Sequence, residues 1–171
     1  LRIANRMSGR DLYSWTLMSE SGAPVCCNAG IEFVVQHELI DVLRDDTVMI
    51  CGGVNIKTAS TKKIVNWLRR ESRRGPLIAG LCTAGYTLAK AGLLDGKRAT
   101  INWENQDSFI EEFDEVQLTK SVFVVDGNRI TTAGGTSSID LMLKLIAQDH
   151  GEDLANAVAD QLIYSSIRTD Q

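Results

Sequence analysis

Apolar residues come along this chain in short bursts, and the spacing within each burst predicts its element. Leu12, Tyr13, Ser14, Trp15, Thr16, Leu17 and Met18 alternate roughly with period two, the signature of a strand that Ser21-Gly22-Ala23-Pro24 would end. Residues 25–35 read as two short β pieces around Asn28-Ala29-Gly30. Asp46-Thr47-Val48-Met49-Ile50-Cys51, stopped by Gly52-Gly53, has the pattern of a buried parallel strand with a tight turn at its carboxyl end. Functional sites of open α/β sheets collect at such ends.

Ser60 is placed to cap a helix with one apolar face of Ile64, Val65, Trp67 and Leu68. Lys62, Lys63, Arg69, Arg70, Arg73 and Arg74 lie mostly opposite, and Gly75 closes it. Pro76-Leu77-Ile78-Ala79-Gly80-Leu81 is the next buried strand, followed by a helix over 83–94, a short strand over 98–101 and an acidic helix over 105–113. Segments 121–125 and 129–132 form a hairpin, because Asp126-Gly127-Asn128 supplies turn residues that tolerate positive φ. Two long helices, 136–148 and 152–167, close the chain around a stop at His150-Gly151. This alternation predicts an α/β fold: a three-layer α/β/α sandwich with a flavodoxin-like, mainly parallel sheet covered on both faces.

Size and charge narrow what such a sandwich does. At 171 residues and 44% hydrophobic content, the chain supports one well-buried core and is too short for two comfortable domains. A net charge of -4 leaves no electrostatic footprint for a phosphate backbone. The basic helix has no interleaved aromatics, so it reads as a solvated face, and any DNA binding belongs to another part of the protein. Cys26, Cys27, Cys51 and Cys82 form no CxxC pair and share no metal-like spacing with His37 and His150, so no metal site, cofactor or disulfide framework is expected. Thiols used this way, without a signal peptide or membrane-length apolar run, fit a reducing cytoplasm with no membrane partner. The opening Leu1-Arg2-Ile3-Ala4-Asn5-Arg6 reads as the back half of an amphipathic helix, so an upstream segment is expected.

The sharpest local feature is Gly80-Leu81-Cys82-Thr83-Ala84-Gly85, a cysteine between a buried strand and a helix start, flanked by small residues. That is the arrangement of a nucleophile elbow, where a strained turn exposes the side chain; a helix start behind Cys82 would also favour its thiolate. The same pattern is equally compatible with one more buried thiol. The other three cysteines are expected to be packing residues. No base for Cys82 is evident, since His37 lies in a polar stretch and His150 at a helix stop. Gly52 and Gly53 can present backbone N–H groups to the same cavity, or simply make a turn. Gly134, Gly135 and Thr136 open a helix at the end of a β run and can line that cavity, with a capped turn as the alternative. Trp15 and Trp67 are expected in the core, Trp103 divides evenly between an aromatic cage and the core, and Asp107 and Asp140 read as exposed helix charges.

Two blocks carry a specific resemblance. Residues 80–100 with Asn102-Trp103-Glu104, and Ile130-Thr131-Thr132-Ala133-Gly134-Gly135-Thr136-Ser137-Ser138-Ile139-Asp140-Leu141-Met142-Leu143 with His150-Gly151 and Leu154-Ala155, resemble the PfpI-like domain of GlxA-type AraC-family regulators. The ending Arg168-Thr169-Asp170-Gln171 is similar as well, and the blocks cover about half the chain. The resemblance implies a homodimeric, effector-sensing domain related to class I glutamine-amidotransferase-like enzymes. DNA would be contacted only through a C-terminal helix-turn-helix domain outside this chain. It also implies a first strand before Leu1, so that the native chain would start about two dozen residues earlier.

Enzymatic relatives pair the elbow cysteine with a histidine and a carboxylate. Here the position that often reads His-Trp is Asn102-Trp103, and an amide cannot accept the proton. The resemblance therefore implies no catalysis and a small-molecule effector of the betaine, carnitine or arginine class. Gly52, Gly53, Cys82 and Thr83 would supply donors for a carboxylate, Trp103 and Glu104 would meet a cationic end, and Gly135 and Thr136 would line the cavity. A Cys82-dependent amidase, glyoxalase or hydratase, and a redox sensor oxidised at Cys82, are the competing readings.

Overall fold

A computed structural model of the protein describes residues 1–168. Its elements in chain order are α1 (Arg2–Ser8), β1 (Val25–Cys26), β2 (Glu32–Phe33), β3 (Thr47–Cys51), α2 (Ile56–Ala59), α3 (Lys62–Ser72), β4 (Leu77–Leu81), α4 (Gly85–Lys90) and β5 (Arg98–Ala99), then α5 (Gln106–Glu112), β6 (Gln117–Leu118), β7 (Phe123–Asp126), β8 (Arg129–Thr132), α6 (Ser137–His150) and α7 (Glu152–Gln161).

The central sheet runs β3-β4-β8-β7. β4 pairs in parallel with β3 and β8, and only the β7–β8 hairpin is antiparallel, turned at Gly127 with φ 61°. Alternation along β4 sends successive side chains to opposite faces. Ile78 enters a cluster with Val65, Leu68, Leu88, Leu94, Ala99 and Phe109, contributed by α3, α4, α5 and the segments between them. Ala79 packs with Phe123, Ile130 and Leu141 beneath α6, which is backed in turn by α1 and α7. That is the expected three-layer sandwich, and each fully buried Leu or Ile contributes about 1.5–3 kcal/mol to holding it.

Several expectations give way. Residues 12–18 form no strand: Met18 makes one isolated bridge to His37, Leu17 donates its N–H to Gln36 Oε1 at 2.5 Å, and Trp15 lies half exposed rather than in the core. Period-two alternation specifies a face, but a strand also needs a neighbour for its backbone groups. The segment is held instead by Asn5, whose amide brackets the Tyr13 N–H and C=O at 2.9 and 2.7 Å. Thr61, not Ser60, caps α3; Ser60 Oγ donates to the Ile56 carbonyl at the end of α2. α4 stops at Lys90, where Gly92 at φ 72° turns the chain. α7 stops at Gln161, six residues early, and Ile163 at φ 54° reverses the chain. Cys26 and Cys51 are exposed, not packed, with Cys51 on the edge strand β3.

Part of the basic face of α3 is tied into ion pairs while staying half exposed. Glu71 is fully buried and accepts from the Val42 N–H at 3.0 Å and from Arg70 Nε at 2.6 Å, while Arg70 and Arg74 both reach Asp41. Trp67 is core, its Nε1 donating to the Ile40 carbonyl at 2.9 Å.

Candidate functional site

Cys82 follows β4 directly and begins a one-turn 3-10 segment, Cys82–Ala84, that leads into α4. Its φ is 61°, a left-handed conformation that side chains other than glycine adopt only under strain. Small neighbours make the corner possible. A Cβ on Gly80 would stand 2.9 Å from the Gly85 nitrogen, and one on Gly52 would stand 2.4 Å from the Ala84 nitrogen. Strand, turn and helix therefore meet closer than any side chain would allow, and the sulfur is pushed into partial exposure.

The surroundings of the thiol come from two separate loops. Gly134, at φ 90°, lies so close that a Cβ there would be 2.7 Å from Cys82 Sγ. Asn102 Nδ2 donates to Sγ at 3.8 Å and to the Ala133 carbonyl at 3.5 Å, while Asn102 Oδ1 accepts from the Glu104 N–H at 3.1 Å. Among the described residues, that amide is the one hydrogen-bonding neighbour of the sulfur. His37 and His150 are both exposed, and His150 stands edge-on to Tyr13.

The structure divides the residues read from sequence. The Gly52 N–H donates to the Leu81 carbonyl at 3.2 Å and the Cys82 N–H to Thr132 Oγ1 at 3.1 Å, so neither is free to meet an anion. Thr83 is buried, with Oγ1 on the Gly53 carbonyl at 2.8 Å; its role is to fasten the β3 turn to the elbow. Gly135 is exposed, its Cβ direction open, and Thr136 is exposed with Oγ1 accepting from Arg168 Nη2 at 2.5 Å. Trp103 is 73% exposed and Glu104 exposed, both on the turn after Asn102, so Trp103 is not core.

Asn28 was missing from the sequence reading of the site. It sits on the β1–β2 turn with Nδ2 3.5 Å from where a Gly53 Cβ would lie, which brings that hairpin beside the turn after β3. Asp140 corrects another expectation: it is fully buried and ion-paired with Arg168 at 2.7 Å. Two open clefts of about 430 and 420 Å³ lie elsewhere, one beside Met7 and Ile163 and one beside Trp67 and Arg70.

A thiol on a left-handed strand-to-helix corner, inside a three-layer sandwich, defines a cysteine-elbow α/β domain. The chain belongs to the DJ-1/PfpI family, whose model matches residues 4–148. It is 43% identical over 171 residues to the HTH-type transcriptional regulator CdhR of Pseudomonas aeruginosa, a match covering 100% of this chain and 51% of that protein. The HTH-type transcriptional regulator GbdR of the same species is 37% identical, with 100% of this chain and 47% of GbdR covered. The crystal structure of an AraC family transcriptional regulator from Pseudomonas putida superposes with a TM-score of 0.82 at 26% identity, covering 94% of this chain and 86% of that one. The chain thus spans about half the length of the curated regulators it matches.

Proposed function

We propose that the chain is the ligand-sensing domain of an AraC-family transcription regulator, binding a small amine or amino-acid-like metabolite at the Cys82 elbow without turning it over. One observation carries this reading: the group on the sulfur is the Asn102 amide, which donates at 3.8 Å and cannot take a proton. A thiol without an adjacent base lacks the proton acceptor that acyl or aldehyde chemistry uses, while the strained corner leaves the sulfur partly exposed to a guest.

A carboxylate would be met by the N–H groups of Gly53 and Thr83, with Gly52 and Cys82 shaping the floor. A cationic end would be met by Trp103 and Glu104, and Gly135, Thr136 and Asn28 would form the rim. DNA would be contacted through a separate domain, in a cytoplasmic homodimer whose geometry shifts with occupancy.

Thermal shift against betaine, carnitine and arginine tests the reading, because a guest that binds only the folded state raises the midpoint by an amount set by its concentration over Kd. At about 100 times Kd the gain is about 2.7 kcal/mol. The shift should survive in Cys82→Ser, and no aldehyde or amide should be consumed. A turnover that vanishes in Cys82→Ser would establish the enzyme instead.

A further inference from the structure

We propose that Asp140 and Arg168 are positioning residues that hold the Gly134-Gly135-Thr136 rim against Cys82 and couple occupancy of the elbow to the segment after α7. This deepens the function proposed above and rests on the elbow being the binding site.

Asp140 lies in the first turn of α6 with no exposed surface. A carboxylate out of reach of water is stable only when paired and hydrogen-bonded, so its partners are obligatory. They all come from the chain beyond α7. Tyr164 Oη donates to the carboxylate at 3.0 and 3.1 Å, the Arg168 N–H at 2.8 Å, and Arg168 Nε and Nη2 at 3.0 and 2.7 Å. To deliver them the chain reverses at Ile163, a β-branched residue at φ 54°, a strain that persists only where surrounding contacts impose it.

The same guanidinium continues to the site. Arg168 Nη2 donates to Thr136 Oγ1 at 2.5 Å. Two residues earlier stands Gly134, so near the thiol that a Cβ there would lie 2.7 Å from Cys82 Sγ, and the Gly134 carbonyl accepts from the Ser137 N–H at 3.1 Å and Oγ at 2.7 Å. The rim is thus pinned at one end by the thiol and at the other by the arginine. A guest that displaces Gly134 moves Thr136, and Thr136 cannot move without loosening Arg168.

Iodoacetamide is the probe, because its adduct on Cys82 occupies the space beside Gly134 whatever the effector is. Peptide mass spectrometry of the 171-residue chain reads Cys82 alkylation relative to exposed Cys26, in the parent and in Arg168→Ala, Arg168→Lys and Thr136→Val. The ratio should rise about fivefold or more in Arg168→Ala and Thr136→Val, with partial restoration in Arg168→Lys, which keeps the charge but loses the planar fork. In the parent, the Cys82 adduct should speed hydrogen exchange of the Arg168 amide by a factor of about five or more. Either measurement staying at the parent level overturns the coupling. If Arg168→Ala does not fold, Thr136→Val, which leaves the ion pair whole, decides together with the adduct. A metabolite panel that produces no thermal shift would remove the proposed effector class and leave this measurement standing.

Discussion

At Cys82 the backbone, not the sulfur, sets the stability cost. A left-handed cysteine is strained by roughly 1 kcal/mol, so Cys82→Gly should leave stability unchanged or raise it by up to about 1 kcal/mol in urea unfolding. Gly134→Ala should do the reverse. Its Cβ would stand 2.7 Å from the sulfur at φ 90°, and a loss of about 1–3 kcal/mol is expected. Arg129 offers a third case. It is buried in β8 with Nε unbonded among the described residues, and burial pulls its pKa down. Its Nη1 donates to the Asn128 carbonyl at 3.0 Å, but no carboxylate among the described residues pairs with it, so Arg129→Met should raise the melting temperature by removing a buried charge. The elbow was legible from its own six residues because its requirements are local: small neighbours around a corner. Asp140 was not, because its burial depends on Tyr164 and Arg168, more than twenty positions away, and on a chain reversal at an isoleucine that no turn rule would choose.

Among elements, the parallel strands and the β7–β8 hairpin could be read from sequence because apolar runs and turn residues coincide there. Residues 12–18 failed because alternation says nothing about whether a partner strand lies alongside. Between α2, α4 and α5 a small polar tie is expected to show in the pH dependence. Glu112 accepts from Lys57 Nζ at 2.8 Å and Tyr86 Oη at 2.6 Å; Lys57 first, then Tyr86, hold its carboxyl below the usual range, and burial with Glu112 pushes the Tyr86 phenol up to about 12. A depressed carboxyl favours the ionised folded form, so its contribution is present above the ordinary carboxylate pKa and lost as pH falls through it. Glu112→Gln should therefore lose less melting temperature than the parent between about pH 5 and pH 3. The phenol works with the opposite sign. Its contribution is lost as pH rises from about 10 to about 12, and Tyr86→Phe should flatten that alkaline limb in a denaturation series.

At the scale of the whole molecule, the net charge of -4 and the ion pairs on α3 disfavour a polyanion. Arg69 donates to the Ala91 and Lys90 carbonyls, and Arg70 and Arg74 are drawn onto Asp41 and Glu71, so these three arginines of the one conspicuous basic run are engaged within the fold. In fluorescence anisotropy at physiological salt, this chain alone should bind duplex DNA no more tightly than about 10⁻⁴ M, the weak end of non-specific association. Retention at micromolar affinity would refute that assignment of the arginines. Composition sets the direction of this expectation; which acid neutralises which arginine needed the loop bearing Asp41, whose path no periodicity announces.

The flush meeting of Gly52, Gly80 and Gly85 around the elbow has a last implication for selectivity. Because backbone rather than side chains forms the floor of the elbow, any guest bound there under the proposed function would meet a base that is preset and the same for every guest. On that proposal, discrimination between similar metabolites would fall to the margin, to Asn28 on its hairpin and to exposed Gly135 and Thr136, where exchanging a residue would retune preference without disturbing the architecture beneath.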